Sequence, residues 1–368
     1  MLTGTRPITY LSSGLRQPAT KYIERDGDGP LNPTSQASLE PSTMMHLSVT
    51  LLVGGLLLMS DIVLSAGISG TTGFTLVPTF NAQKLSGSDL LPTVQVINVP
   101  LVDDDGVTRA AKGHFVTAVD SSMFSIYPPI QGCGYGLTTT SSEARYRGCS
   151  VAMNMGFFDI SNTTHPHCLG AVVSDNVLIE HDATSDVHFG LTSDENWFIG
   201  YVNNTFLAEH TLASVADRCD STGVCVNDTD STWYFRSLAS GRVQLVNNGQ
   251  NYVNVSNGVN TFTTEASGRT AIGTLKGGRL GMVQIDGRTG QDGIDLFTLG
   301  DIMIKLGFKN AINLDGGGSA TTAINGVLAS LPSDGCPGDQ TGLLGCERAV
   351  STIVCLHSSP QQFVVGTI

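Results

Sequence analysis

From about residue 93 to residue 356 the chain is written in short apolar runs broken by turn residues. "TVQVINV" (93–99), "GHFVTAVD" (113–120), "CSVAMNMGFF" (149–158), "LGAVVSDNVLIE" (169–180), "VHFGL" (187–191), "NWFIGYV" (196–202), "GRVQLV" (241–246) and "RTAIGTL" (269–275) follow one another. Their β-branched and aromatic content and their punctuation predict strands. "LGMVQIDG" (280–287) follows the last across Lys276-Gly277-Gly278, a hairpin signal. One stretch departs from this pattern. In "DLFTLGDIMIKLG", Leu296, Leu299, Ile302, Met303 and Leu306 recur on one helical face, with Asp295 placed to cap the start and Gly307 to stop it. This helix feeds "AINL" (311–314), a short buried strand. After it come Asp315, three glycines, and "ATTAI" (320–324), a second strand that ends in the tight turn Asn325-Gly326. No internal repeat, low-complexity tract or proline-rich linker follows residue 100, so residues 105–357 are expected to form one β-rich α+β domain with mixed sheets and few helices.

The glycine corner after Asp315 is the first candidate for chemistry. Each glycine loses more backbone freedom on folding than any other residue, so three in a row between two strands need a reason. A corner stripped of side chains lets main-chain N–H groups face a ligand at close range. The spacing fits neither a phosphate-binding loop with a following Lys-Ser/Thr nor a dinucleotide fingerprint. Asp315 either caps the turn, a frequent use of aspartate before glycine, or is held there for chemistry. Asp286 closes "GMVQIDG" in the same manner. Two strand-end carboxylates are what hydrolysis at an anomeric carbon needs, although two turn aspartates would look the same.

The 368 residues are 40% hydrophobic, enough for a sizeable core, and the net charge of -13 argues against nucleic acid and anionic membranes as partners. An anionic substrate must then be held by a few local cations. Arg269 and Arg348 each open an apolar strand, where an arginine fork can bind phosphate or carboxylate bidentately or form an ordinary ion pair. Asn154, an amide inside an apolar run, is either a buried structural hydrogen-bonder or a ligand contact. His114, His165, His167, His181 and His188 form no metal constellation, so no metal or cofactor is expected.

Residues 47–59, "LSVTLLVGGLLLM", are too short for a comfortable span and have signal-peptide length, with small Ser65 and Gly67 after them. The expected organisation is an N-terminal extension over 1–43, disordered or not part of the true gene product if Met44 or Met45 is the start. A signal peptide or signal-anchor follows over 44–67, then an N-terminal segment over 68–104, the catalytic domain, and a tail over 358–368. Membrane contact is expected only if 47–59 remain as an anchor. All eight cysteines lie beyond that run, an even count suited to an oxidising compartment. Cys336/Cys346 and Cys219/Cys225 bracket short loops, and Cys149 and Cys355 flank strands, which would leave Cys133 with Cys168; eight cysteines nonetheless permit 105 pairings. Asn162, Asn203, Asn227 and Asn254 are glycosylation acceptors by sequence.

Taken in order, "CSVAMNMGFFD", "CLGAVVSD", "HFGL", "VQLVNNGQNYVNVS", "GRTAIGT", "QIDGRTGQDGIDL", "KNAINLDGGGSAT", "NGVLASLPSD" and "RAVSTIVCLH" resemble the phosphodiester glycosidase family over about residues 95–357. The resemblance implies that Asn154, Arg269, Asp286, Asp315, Gly316, Gly317, Gly318, Ser319, Asp334 and Arg348 face a common pocket, with Asp315 and Asp286 catalytic. It implies the cysteine pairs named above. It also implies removal of an α-N-acetylglucosamine that covers a mannose 6-phosphate diester on phosphorylated high-mannose glycans, or cleavage of a related glycosyl-phosphate diester. The expected location is the secretory pathway, as a secreted, Golgi or lysosome-like luminal protein. Vertebrate members of the family carry further modules after this domain, whereas this sequence runs 13 residues past Cys355, so Golgi retention by that route is not expected. Two other classes compete: a secreted glycan-binding module without turnover, and a metal-dependent phosphodiesterase using Asp286, Asp315 and Asp334.

Overall fold

The structure, a computed structural model, describes residues 73–79, 91–102, 106, 108–134, 136–161, 166–182, 186–213, 233–341 and 344–358. The expected leader and extension, the Cys219–Cys225 loop, Asn162, Asn227 and nearly all of the tail lie outside the described residues. Among those described, no helix is long and apolar enough to cross a membrane.

Three sheets carry the fold. The largest has seven strands in the order Gln250–Asn251, Gln244–Asn247, Phe308–Asn313, Arg269–Leu275, Leu280–Ile285, Thr108–Ala118 and Thr93–Val102. A six-stranded sheet runs Gly73–Pro78, Asn196–Tyr201, Val187–Thr192, Phe235–Ser240, Ala171–Ser174 and Val177–His181. A five-stranded sheet runs Val327–Leu328, Thr322–Ile324, Val151–Asn154, Ile353–Leu356 and Phe124–Tyr127. Where mixed sheets are expected from the sequence, the described pairings within each sheet are antiparallel. Six of the neighbouring pairs in these sheets are consecutive strands joined by turns or short loops, which antiparallel pairing allows, and the others bring together segments far apart in the chain.

One buried cluster joins all three sheets: Val116, Met282 and Ile312 from the first, Phe189, Trp197 and Ala239 from the second, and Phe124, Met153 and Val354 from the third. Each large side chain removed from water in this way contributes about 1.5–3 kcal/mol. The opposite face of the seven-stranded sheet is covered by the helix Leu296–Lys305 through Leu296, Leu299, Ile302 and Met303. Asp295 caps it, accepting from Thr298 N at 2.6 Å, and Gly307 follows at φ +92°. The turn Asn325-Gly326 takes φ +51° and +70°, the left-handed pair that a two-residue hairpin demands.

The strand order sets up the site. The hairpin Arg269–Leu275/Leu280–Ile285 pairs Arg269 with Ile285. The covering helix then returns the chain so that Phe308–Asn313 pairs on the other side of Arg269–Leu275, with Ala271 opposite Asn313. Asp286 and Asp315 therefore leave the sheet at the same end, with Arg269 on the strand between them. Two strand spacings put their main chains roughly 10 Å apart.

Candidate active site

Asp315 is anchored from behind. Its N–H donates to Met155 O at 2.9 Å, and Leu314 N donates to Thr270 O at 2.8 Å. The Asp315 carbonyl accepts from Asn154 Nδ2 at 2.7 Å. Asn154 is fully buried, and its Oδ1 accepts from Thr270 Oγ1 at 2.7 Å and from Thr321 N at 3.0 Å. A single amide from the five-stranded sheet thus ties together the Asp315 corner, the seven-stranded sheet and the strand that leaves the corner. Asn154 is a positioning residue.

Asp315 is half-buried as a residue, and its Oδ1 accepts from Gly316 N at 2.9 Å. Burial around it pushes its pKa up to about 6, against the lowering pull of Ser319, the Gly316 N–H and Arg348. The Ser319 hydroxyl faces it from a fully buried position and makes no hydrogen bond of ordinary geometry. The Thr321 hydroxyl is likewise buried, with no hydrogen-bond partner among the described residues.

The glycines are required by what surrounds them. A Cβ on Gly316 would lie 2.6 Å from Gly268 O, and one on Gly317, at φ +59°, would lie 2.8 Å from Thr289 Oγ1. A Cβ on Gly318 would fall within the Arg348–Asp334 pair. Gly317 N donates to Gly268 O at 2.8 Å and Ser319 N to Gly316 O at 3.1 Å. The N–H of Gly318 has no protein acceptor among the described residues. Arg348 grips Asp334 with its fork, Nε to Oδ2 and Nη2 to Oδ1, both at 2.7 Å. Both side chains are partly exposed, so the pair contributes geometry more than stability. The disulfide Cys336–Cys346 closes the loop between them, and Asp334 pairs with Cys346 in register.

Two sequence candidates are held differently from the rest. Arg269 is buried, its pKa pushed down to about 10 by desolvation against Asp295 and Glu265. Its Nε donates to Ile294 O at 3.1 Å, and Nη2 to Phe262 O at 3.3 Å and Glu265 O at 2.5 Å. Its fork braces main chain beside the corner, with Cδ 3.7 Å from the position of a Gly316 Cβ. Asp286 faces a neighbouring cleft; its Oδ1 accepts from Gln284 Nε2 at 2.9 Å and Leu331 N at 3.0 Å. Structure therefore gathers Asp315, Gly316–Gly318, Ser319, Asp334 and Arg348 most closely, with Asn154 and Arg269 behind them. Among the described residues no three His, Cys, Asp or Glu side chains are grouped to hold a metal ion.

Sequence reading missed Thr270, Gln284 and the Ser267–Thr289 hydroxyl pair, 2.8 Å apart beside Gly317. Gln284 receives Thr322 Oγ1 at 3.3 Å and meets His114 Nδ1 at 3.0 Å, which links the sheets under Asp286. It was visible as the one amide in an apolar strand. Disulfides join Cys133–Cys168 and Cys149–Cys355. Asn203 is exposed and caps the helix Asn204–Glu209 through its oxygen, at 2.8 Å from Phe206 N, and Asn254 is exposed in the short helix Val253–Asn257.

Comparison with known proteins places the chain in a family. A phosphodiester glycosidase family model matches residues 147–357. The chain is 36% identical over 265 residues to the N-acetylglucosamine-1-phosphodiester alpha-N-acetylglucosaminidases of Bos taurus and Homo sapiens, which covers 68% of this chain and 45% and 46% of theirs. The chain thus spans about half the length of the curated relatives it matches. Its fold is similar to that of the zebrafish N-acetylglucosamine-1-phosphodiester alpha-N-acetylglucosaminidase catalytic domain auto-inhibited by pro-peptide, with a TM-score of 0.64, 28% identity, and coverage of 78% of this chain and 88% of that one. A carboxylate at a bare glycine corner, an arginine fork beside it and this likeness lead to one conclusion: the chain belongs to the phosphodiester glycosidase family.

Proposed function

We propose that the protein hydrolyses the bond between an α-N-acetylglucosamine and the phosphate of a GlcNAc-phosphate-mannose diester, exposing mannose 6-phosphate on a glycoprotein glycan. The observation that carries the reading is Asp315, a carboxylate of raised pKa set against a glycine corner with Arg348 at its side. In this reaction the C1–O bond breaks with its electron pair going to a phosphate oxygen, and a hydroxyl from water ends on C1. Because that leaving group is already anionic and weakly basic, strong general-acid help is less necessary than for an ordinary glycoside. What the site must offer is positive and N–H stabilisation of the phosphate. The Gly318 N–H and the Arg348 fork are the groups of the corner suited to it. Asp315 serves the anomeric side, as attacking carboxylate or as base toward water, and in either role it is active when ionised. Disulfides and glycosylation acceptors favour a luminal or extracellular compartment.

The test is incubation of the purified protein with GlcNAc-α-phosphate-6-mannose and, separately, with a simple aryl α-N-acetylglucosaminide. Cleavage of the diester, with loss of that activity in Asp315→Asn, is expected. An enzyme that turns over only the aryl glycoside, or neither compound, refutes the reading.

A further inference from the structure

Beside the Asp315 corner lies a cleft of about 260 Å³ whose lining includes Arg109, Lys112, Asp286, Arg288, Asp292 and Ser333. Three cations converge on one small cavity in a chain that has only 19 lysines and arginines against 32 acids. Its two acids are held chiefly by neutral donors. Asp286 Oδ1 takes Gln284 Nε2 and Leu331 N, and Asp292 Oδ1 takes the main-chain N–H of Arg288. Lys112 and Arg288 are exposed and form no ion pair among the described residues. Lys112 stands directly opposite Asp286 on the neighbouring strand, its carbonyl accepting Asp286 N at 2.8 Å, so both side chains leave the same face of the sheet.

The wall between cleft and corner is a single layer of main chain. A Cβ on Gly268 would lie 2.8 Å from Gly287 O on the cleft side and 2.9 Å from Gly317 O on the corner side. A Cβ on Gly287 would meet Gly293 Cα at 2.5 Å and Gly268 N at 2.9 Å. These glycines let backbones pack without side chains between them, so the cleft and the corner lie on either side of a thin wall.

We infer that this cleft is a subsite for the phosphosugar half of the substrate, with Lys112 and Arg288 as its principal cationic ligands. The inference rests on the proposed diester hydrolysis and extends it. Arg269 is engaged by carbonyls and Arg348 shares its fork with Asp334, so the corner offers the bridging phosphate one cation and one N–H, and Lys112 and Arg288 add positive charge from the mannose side. Asp286, with Oδ2 receiving no hydrogen bond from the described residues, faces the sugar hydroxyls and sets the orientation.

The test is direct binding of mannose 6-phosphate to the full chain, followed by phosphorus NMR and titration calorimetry, so that it reads independently of turnover. Wild type should bind saturably, with neutral mannose at least tenfold weaker. Lys112→Ala/Arg288→Ala should weaken mannose 6-phosphate at least tenfold, and Lys112→Arg/Arg288→Lys should stay within a few fold of wild type. Lys276→Ala, at the far-end turn of the same hairpin, should change nothing, which separates a local site from bulk charge. Binding without diester cleavage would keep the subsite and remove the proposed reaction. Diester cleavage with mannose 6-phosphate binding that is absent, or that is unchanged in the double alanine variant of normal thermal stability, would overturn the subsite.

Discussion

Asn154 Nδ2 donates a 2.7 Å hydrogen bond to the carbonyl of Asp315, 161 residues further along the chain. The same amide accepts from Thr270 and Thr321, so three segments that meet nowhere else in sequence are fixed on one side chain. Asn154→Ala strips partners from one carbonyl, one hydroxyl and one main-chain N–H at once. Each buried polar group left unsatisfied costs about 1–3 kcal/mol. We expect a loss of several degrees in Tm by calorimetry together with a fall in kcat, whereas Asn154→Asp, which keeps the acceptor oxygen, should recover more Tm than kcat.

Asp315→Asn makes two predictions of opposite sign. The ionised carboxylate is less at home in the folded protein than in water, its pKa raised from 3.8 to about 6. A raised folded-state value means that ionisation weakens the fold: the penalty is absent below 3.8 and fully present above about 6. By linkage it reaches up to about 3 kcal/mol. Asp315→Asn should therefore raise Tm at pH 7.5, with the gain fading toward pH 4, while diester turnover is lost. In wild type, activity should climb with pH through an acidic limb near 6, measured as kcat/KM against pH. A flat profile there, or a variant less stable at pH 7.5, contradicts the assignment.

Arg348 lowers the pKa of Asp315 by its charge. Arg348→Gln should move the acidic limb of the pH profile upward as well as reduce kcat/KM. Arg348→Lys keeps the charge but loses the fork on Asp334, so its limb should stay in place while its rate falls. The two variants separate charge from geometry through a readout that simple misfolding does not move.

Much of the strand pattern was legible because the code is local. "RTAIGTL" and "LGMVQIDG" pair across the glycine turn read from sequence, and Asp295 caps the predicted helix. Asp315 was legible because three glycines are costly and therefore conspicuous. What stayed hidden depends on distant partners. The helix Thr140–Arg147 has no apolar stripe; Thr139 caps it, and the carboxylate of Glu347, 206 residues away, holds Ser141 at its start. Arg269 opens an apolar strand, which from sequence fits an anion ligand or an ordinary ion pair equally; only the fold shows that three carbonyls on other segments receive its donors. Asn154 looked like one amide among apolar residues, and only the meeting of two sheets gives it three partners.

Gly318→Ala tests the corner sterically. A methyl there collides with Asp334 Oδ1 and Arg348 Nη2, both held in a bidentate pair. Because the pair is partly exposed it can swing away, so the protein should fold with a modest change in Tm while losing at least a hundredfold in kcat/KM. Gly316→Ala meets main chain instead, Gly268 O at 2.6 Å, and should cost more stability for a similar loss of rate. Equal Tm losses in the two variants would contradict this division between a movable and an immovable neighbour.

The Cys336–Cys346 disulfide spans 10 residues and Cys149–Cys355 spans 206. A cross-link stabilises mainly by restricting the unfolded chain, more so for a longer loop. Cys149→Ser/Cys355→Ser should accordingly cause the larger fall in Tm, since it also opens a buried seam between the helix Thr140–Arg147 and the five-stranded sheet. The short loop matters differently. Its base pairs Asp334 with Cys346 and places Arg348 two residues further on, so the bond fixes the distance between the halves of the salt bridge. Cys336→Ser/Cys346→Ser should leave Tm within a few degrees of wild type yet depress kcat/KM for the diester severalfold, with a pH limb displaced in the direction of the Arg348→Gln variant. If removing the short disulfide instead costs stability and spares the rate, the loop is a structural clasp and Arg348 is positioned by something else.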